Sequence, residues 1–228
     1  MSSTGSLLRL FLSPSNEGPG TCEPTVFLVD DDEAIRESGA WLFSSAGLRV
    51  ETFASAEAFQ AAYDPARPGC LVLDLRMPGL SGLDLQAWLN ERDGDLPIIF
   101  LTAHGDVPAA VRALKGRALD FLQKPVNDME LLEKVRRALE VDAERRRTSD
   151  LRARVAARLA ALTSRERQVL HLLRKARSNR QVAAVLGISE KTVEVHRKHV
   201  LHKMGVHTAI ELVKAIEEYI ALGGAIDE

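Results

Sequence analysis

Short apolar runs alternate with helical patterns through residues 24–127. The runs at 25–29, 50–53, 70–73, 97–101 and 119–122 are typical of strands, and the runs without polar alternation suit a parallel sheet buried on both faces. Apolar residues at helical spacing predict helices at about 33–47, from 55, at 82–91 and 107–115, and from 128. In the second helix, Ala58, Phe59 and Ala62 are expected to face inward. Five strand–helix repeats predict an α/β fold, a (βα)5 doubly wound parallel sheet.

The pattern of residues 161–228 is helical and predicts a small all-α domain. A short helix capped by Asn179 is expected to end at Gly187, and a longer one capped by Ser189 is expected to run over about 190–204. Two helices separated by a short turn that contains glycine are typical of a helix-turn-helix.

Charge divides the chain of 228 residues, whose formal net charge is −2. Residues 1–142 carry 13 basic and 22 acidic side chains, and residues 143–228 carry 17 basic and 10 acidic ones. The acidic part favours a metal or phosphate site, and the basic part favours a polyanionic partner. Cys22 and Cys70 follow no disulfide or metal spacing, and the apolar run at 7–12 is too short to cross a membrane, so we expect a cytoplasmic protein that does not act at a membrane.

The domain boundaries follow from these changes in pattern. Residues 1–23, rich in Ser, Gly and Pro, are expected to be a disordered leader, 24–140 the α/β domain, 141–160 a connector and 161–228 the helical domain. The connector predicts either one long helix or two that meet near Thr148-Ser149. For its arginines we favour a solvated linker face over contact with DNA; they are Arg145, Arg146, Arg147, Arg152, Arg154 and Arg158.

Polar side chains stand where four of the predicted strands end. Asp30 and Asp31 follow the first strand, and Asp74, Thr102 and Lys124 follow the third, fourth and fifth. The carboxyl ends of parallel strands share one edge, where open sheets bind their ligands. Crowded carboxylates repel one another and attract a hard dication such as Mg²⁺. This ion would neutralise a phosphoryl group, so that a carboxylate could attack it, while Lys124 and Thr102 approach the phosphoryl oxygens. Each residue alone could instead be a cap, a helix N-terminal acid or a surface charge.

The sequence around these residues closely resembles the receiver domain of two-component response regulators, which has a flavodoxin-like fold. The matching segments are 29–32, 73–82, 101–106 and 120–125. The resemblance implies that Asp74 is the phosphoacceptor, that Asp30, Asp31, Asp74 and the backbone carbonyl of Arg76 bind Mg²⁺, and that Lys124 contacts the phosphoryl group. It further implies that Thr102 and Phe121 are a switch pair and that the Lys124-Pro125 bond is cis.

The chain departs from the receiver pattern before the fifth strand. The family usually has Ala-Gly-Ala there, whereas this chain has Gly116 followed by Arg117 and Ala118, so the glycine stands one place earlier. Glycine normally fills the left-handed position at such a helix end, and the geometry here is therefore open.

The predicted helix at 190–204 has an apolar face and a basic face. Val193, His196, Val200, Leu201 and Met204 are expected to pack inward, which leaves a basic surface suited to the major groove of double-stranded DNA. An ordinary amphipathic surface helix is the alternative. His196, His199 and His202 have no acidic or thiol partners that would favour a metal site.

The second half resembles the LuxR-type helix-turn-helix, through segments 162–170, 178–179, 188–189, 192–197 and 203–206. The resemblance implies base contacts from Glu194, Val195 and Lys198, and phosphate contacts from Lys191, Thr192, Arg197 and Lys203. Such phosphate contacts would make binding depend steeply on salt. The family usually has glycine at position 176, where this chain has alanine.

Together the two resemblances identify the chain as a DNA-binding response regulator of the FixJ/NarL group. They imply that a sensor histidine kinase phosphorylates Asp74, that the chain dimerises through roughly residues 107–140, and that it binds promoter half-sites and acts on RNA polymerase. On this reading it is no enzyme beyond its own phosphoryl transfer and dephosphorylation. An aspartate-nucleophile phosphatase is a weak alternative, because its general acid would stand where this chain has Arg76. DNA binding independent of phosphorylation is a third reading.

Overall fold

The computed structural model describes residues 23–92, 95–103, 111, 115–175 and 177–226. Its described residues form two compact units, one that ends at Arg146 and one that begins at Arg147. In these ranges no helix is both long and apolar enough to span a bilayer. The predicted leader lies outside the described residues, apart from Glu23.

The first unit is built on a five-stranded parallel sheet. The strands are β1 (Thr25–Val29), β2 (Arg49–Phe53), β3 (Gly69–Asp74), β4 (Ile98–Thr102) and β5 (Asp120–Gln123). Their order is β2-β1-β3-β4-β5, and every neighbouring pair is parallel. The predicted α/β fold is confirmed, and β3 lies at the centre of the sheet.

Alternate residues of the central strands enter two separate cores, one on each face of the sheet. Phe27, Val29, Leu71 and Leu73 lie in the first core, and Val26, Leu28, Cys70 and Val72 lie in the second. Side chains of successive strand residues point to opposite faces, so this division explains why residues 26–29 and 70–73 are all apolar.

Helices cover both faces. They are α1 (Glu33–Ser45), α2 (Ala56–Ala62), α3 (Gly82–Asn90) and the first part of α4 (Asp128–Ala160). The prediction that Ala58 and Ala62 face inward is wrong, since both are exposed while Ala56 and Phe59 are buried. Ser55 caps the helix, and the buried stripe then runs from Ala56 to Phe59 at helical spacing. The helix predicted near 107–115 lies mostly outside the described residues.

The connector is helical without a break. Helix α4 runs over Asp128–Ala160 for 33 residues, which decides between the two alternatives in favour of one long helix. Each compact unit contains one part of it, since the division falls between Arg146 and Arg147.

Four further helices build the second unit. They are α5 (Ser164–Arg174), α6 (Asn179–Leu186), α7 (Glu190–Met204) and α8 (Ala209–Ala221). Thr163 caps α5, and the predicted cap of α7, Ser189, is present. Ser178 and not Asn179 caps α6, because the Ser178 hydroxyl accepts the Gln181 amide at 3.3 Å. Helix α8 was not predicted.

The core of the second unit holds one face of each helix and the last turns of α4. Leu151 and Val155 of α4 are buried beside Val193 and Val200 of α7. Leu212 and Ile216 of α8 complete this core. Leu151 and Val155, four residues apart, therefore place the last turns of α4 in the core of the second unit.

Candidate functional site

One ammonium group joins two of the predicted carboxylates at the carboxyl edge of the sheet. Lys124 Nζ lies 2.6 Å from Asp30 Oδ2 and 2.8 Å from Asp74 Oδ1. These residues follow or end β1, β3 and β5, so the sheet order alone brings them together. Asp30 and Asp74 are buried and Lys124 is half-buried, which strengthens the attraction between the charges.

Main-chain amides hold both carboxylates in place. The Asp32 amide donates to Asp30 Oδ1 at 3.0 Å, and the Arg76 amide donates to Asp74 Oδ2 at 2.7 Å. Arg36 was missed by sequence reasoning; its guanidinium donates to the backbone carbonyls of Asp30 and Asp31 at 2.8 and 2.9 Å. The acidic loop is thus fixed by its own chain and by α1.

Burial and charge oppose each other in this cluster. Burial raises the pKa of Asp30, although hydrogen bonds from Lys124 and the Asp32 amide counteract this. Burial lowers the pKa of Lys124, but its bonds to Asp30 and Asp74 outweigh that effect and leave the pKa raised. The cluster therefore contains a protonated lysine at neutral pH.

The third predicted carboxylate is not part of this ion-paired group. Asp31 is exposed, and the described residues contain no group of three or more His, Cys, Asp or Glu side chains arranged to hold a metal ion. The two carboxylates of Asp30 and Asp74 still supply the hard oxygen donors that Mg²⁺ prefers. The donor set fits Mg²⁺ in chemistry, and Lys124 now occupies the position between two of its members.

Thr102 and Phe121, the other side chains predicted near this edge, lie on β4 and β5. Thr102 ends β4 and is buried, and its carbonyl accepts the Lys124 amide at 2.7 Å. Phe121 of β5 is half-buried against the first core. The Lys124-Pro125 bond is cis, as the resemblance implied. Glu57 was not predicted to support the site; its carboxylate accepts the Leu80 amide at 3.0 Å in the loop after β3.

Helix α7 presents the predicted polar surface. Lys191, Thr192, Glu194, Val195 and Lys198 are all exposed, whereas Val193, Val200 and Met204 are buried. Val195 is an exposed apolar residue among these polar ones. The surface therefore has the mixed polar, basic and apolar character that suits contact with base edges and phosphates.

Two of the predicted DNA contacts are engaged within the chain. Arg197 donates to Asn179 Oδ1 at 3.1 Å, and Lys203 lies 2.7 Å from Glu166 Oε2. Lys198 and Glu194 form an exposed pair at 3.4 Å, which contributes little to stability.

Several arginines of the connector bind main-chain carbonyls. Arg145 donates to Asp95 O, Arg146 to the carbonyls of residues 65–67, Arg152 to Gly223 O and Arg158 to Met204 O. Arg145 and Arg152 remain exposed, as a solvated linker face requires, whereas the expectation is wrong for Arg146 and Arg158, which are half-buried. Each guanidinium binds a carbonyl oxygen that strand or helix hydrogen bonding leaves available. Because no residue type marks such a carbonyl, the sequence pattern contains no signal of these contacts.

Buried Asp142 supports the contact of Arg146 and α4 with the start of β3 in the first unit. Its carboxylate accepts the Gly69 amide at 2.9 Å and Arg146 Nε at 2.8 Å, at the start of β3. The connector is thereby fixed to the edge of the sheet opposite Asp74.

Comparison with known families and proteins agrees with this arrangement. Residues 26–136 match the response regulator receiver domain, and residues 160–216 match the luxR family of bacterial regulatory proteins. The chain is 47% identical to the transcriptional regulatory protein FixJ of Azorhizobium caulinodans over 83% of this chain and 90% of that protein. It is 44% identical to nodulation protein W of Bradyrhizobium diazoefficiens over 84% of this chain and 85% of the relative.

Two solved structures of response regulators are similar to this chain. The response regulator StyR superposes with a TM-score of 0.82 at 44% identity, and the match covers 86% of this chain and 100% of the StyR chain. Full-length FixJ from B. japonicum gives a TM-score of 0.55 at 37% identity and covers 88% of this chain and 99% of the other. The chain belongs to the two-component response regulators of the FixJ/NarL group. It is a transcriptional regulator with a receiver domain and a LuxR-type DNA-binding domain.

Proposed function

We propose that Asp74 is the phosphoacceptor through which this regulator receives its signal. A carboxylate oxygen of Asp74 attacks the phosphorus atom, a new O–P bond forms, and the bond to the donor breaks. The donor is a phosphohistidine of a sensor kinase, whose imidazole leaves. The contacts of Asp74 with Lys124 and the Arg76 amide are the observation that carries this proposal, because they hold the side chain at the edge where ligands of such sheets bind.

We assign the metal shell to Asp30, Asp31, Asp74 and the backbone carbonyl of Arg76. Bound Mg²⁺ would supply positive charge that neutralises the oxygens of the incoming phosphoryl group. Asp30 is already fixed by the Asp32 amide and by Lys124. Asp31 is exposed, so its carboxylate can approach from the solvent side.

Lys124 has a second task in this proposal. It pairs with Asp74 before the reaction, and its charge serves the phosphoryl oxygens afterwards. Thr102, buried at the end of the neighbouring strand, offers a hydroxyl to the same group, and Phe121 turns inward as that hydroxyl moves.

The output is DNA binding by a dimer. Phosphorylation alters the surface formed by roughly residues 107–140, part of which lies outside the described residues, and two copies associate through it. Two α7 helices then read paired half-sites: Glu194, Val195 and Lys198 contact base edges, and Lys191, Thr192 and Arg197 contact phosphates. RNA polymerase is the partner on which the bound dimer acts.

The experiment measures binding to a duplex that the protein itself selects from a random pool. With acetyl phosphate and MgCl2, affinity of the wild-type protein should rise by about tenfold or more, a typical coupling between sites. Asp74→Asn should remove this increase. Glu37→Gln, which neutralises an exposed carboxylate of α1, should retain it.

Equal affinity with and without the phosphodonor in the wild-type protein would favour DNA binding independent of phosphorylation. An undiminished response in Asp74→Asn would show that another residue accepts the phosphoryl group.

A further inference from the structure

The end of the connector and the end of α7 are joined by contacts in both directions. Arg158 of α4 donates to the carbonyl of Met204, the last residue of α7, at 2.9 Å. Lys203, one residue earlier in α7, donates to the carbonyl of Ala161, just after α4, at 3.1 Å. Each helix thus sends a cation to the carbonyl-bearing end of the other.

These cations meet a need that every helix end creates. The last carbonyls of a helix lack partners within it, and the helix dipole gives this end a partial negative charge. Gly205, the C-cap of α7, has a φ of 65°, and a Cβ atom there would lie 2.8 Å from Arg158 Nη1. Glycine at 205 therefore provides both the left-handed turn and the space for the guanidinium.

A buried carboxylate fixes Lys203 from the other side. Glu166 Oε2 lies 2.7 Å from Lys203 Nζ and also accepts the amide and hydroxyl of Thr163, at 2.8 and 3.0 Å. The Glu166 side chain is 5% exposed and that of Lys203 is 34% exposed. The hydrogen bond from Lys203 lowers the pKa of Glu166 to about 2, so the pair stays ionised.

Withdrawal of Lys203 toward a DNA phosphate would be costly. It would leave a buried carboxylate without its closest cation, with His199 Nδ1 3.9 Å away from Oε1, and the Ala161 carbonyl without its donor. Lys191 and Lys198 are exposed on the same helix and meet no such cost.

We infer that Arg158, Glu166 and Lys203 are positioning residues that fix α7 for reading DNA, and that Lys203 acts through Glu166 and not by contact with phosphate. The inference rests on the proposed reading role of α7. It also makes the end of the connector a part of the reading apparatus, since Arg158 belongs to α4.

The test measures the dissociation constant of the full chain for the self-selected duplex at several KCl concentrations. Loss of one phosphate contact reduces the magnitude of the slope of log K against log salt by about 0.9 for each bound protomer, and so by about 1.8 for a bound dimer. Lys191→Gln, the matched control, should show this smaller slope. Lys203→Gln and Arg158→Gln should weaken binding about tenfold with the slope unchanged, and Arg158→Lys, which retains a cation, should recover most of the affinity.

Glu166→Gln separates the two roles most sharply. It preserves the shape that bonds Thr163 but removes the negative charge that attracts Lys203 and that lies near the DNA. A phosphate-binding Lys203 would then bind as well or better, whereas a positioning pair predicts weaker binding with the slope unchanged. Far-UV circular dichroism at the assay temperature establishes that each variant is folded.

A slope lowered by Lys203→Gln as much as by Lys191→Gln would overturn the inference and leave α7 as the reading helix. Tighter binding by Glu166→Gln would overturn it as well. If neither lysine variant altered binding or slope, both the inference and the proposed phosphate contact of Lys191 would be contradicted.

Discussion

Replacement of Arg117 by glycine should stabilise the first unit. Within the described residues Arg117 is the one non-glycine with positive φ, at 70°, and it is exposed. A left-handed conformation costs a residue with a Cβ atom about 1–2 kcal/mol. Glycine avoids this cost but loses about 0.5–1 kcal/mol through its greater freedom in the unfolded chain. The expected net gain is about 0.5–1 kcal/mol.

Urea unfolding followed by tryptophan fluorescence measures this gain, because both tryptophans, Trp41 and Trp88, lie in the first unit. With a slope of about 2 kcal/mol per molar urea, the midpoint of the full chain should rise by about 0.3–0.5 M. Arg117→Ala is the matched control: it removes the same charge but retains the Cβ atom, so its midpoint should change little.

Gly116→Ala tests the neighbouring position, where the glycine stands one place before the left-handed residue. A Cβ atom at 116 would lie 2.4 Å from Oε1 of buried Gln86, so this variant should lose about 1–3 kcal/mol through overpacking. The reasoning is refuted if Arg117→Gly leaves the midpoint unchanged, or if Arg117→Ala raises it equally, since the side chain and not the backbone would then be responsible.

Three further outcomes are expected. Asp142→Ala should cost about 2–3 kcal/mol in urea unfolding of the first unit, because two donors lose a buried acceptor; an unchanged midpoint would contradict this. The depressed pKa of Glu166, due first to its bond with Lys203, contributes stability above its ordinary value of 4.5 that is lost as pH falls toward about 2, so acid unfolding of the second unit by circular dichroism should flatten in Glu166→Gln. Equal acid sensitivity in both proteins would exclude this carboxylate as the cause. Ser178→Ala should destabilise the second unit by about 1 kcal/mol in urea unfolding followed by circular dichroism, and an unchanged stability would show that α6 has a different cap.

The site at the sheet edge was predictable because its residues directly follow or end strands of one parallel sheet. In a parallel sheet every strand ends at the same side, so Asp30, Asp74, Thr102 and Lys124 converge whatever the details of packing. The ion pairs that Lys124 forms with both carboxylates were not predictable, since spacing along the chain says nothing about side-chain orientation. The position of Asp31 outside this pair has the same cause.

The contacts of the connector were beyond sequence reasoning for a different reason. Arg146 and Arg158 bind carbonyl oxygens about 80 and 46 residues away in sequence, and a carbonyl has no residue type that a pattern could reveal. Helix α8 did have a signal. Thr208 and Glu211 stand at its start, and Leu212 and Ile216 recur at helical spacing.

The role of Asp74 as phosphoacceptor is tested by locating the phosphoryl group in the chain. The wild-type chain is incubated with acetyl phosphate and MgCl2, the acyl phosphate is reduced with borohydride, and the peptides are analysed by mass spectrometry. One modified residue, Asp74, is expected in the wild-type chain, and no modification is expected in Asp74→Asn. A phosphoryl group on any other residue of the wild-type chain, or equal labelling of the variant, would contradict it.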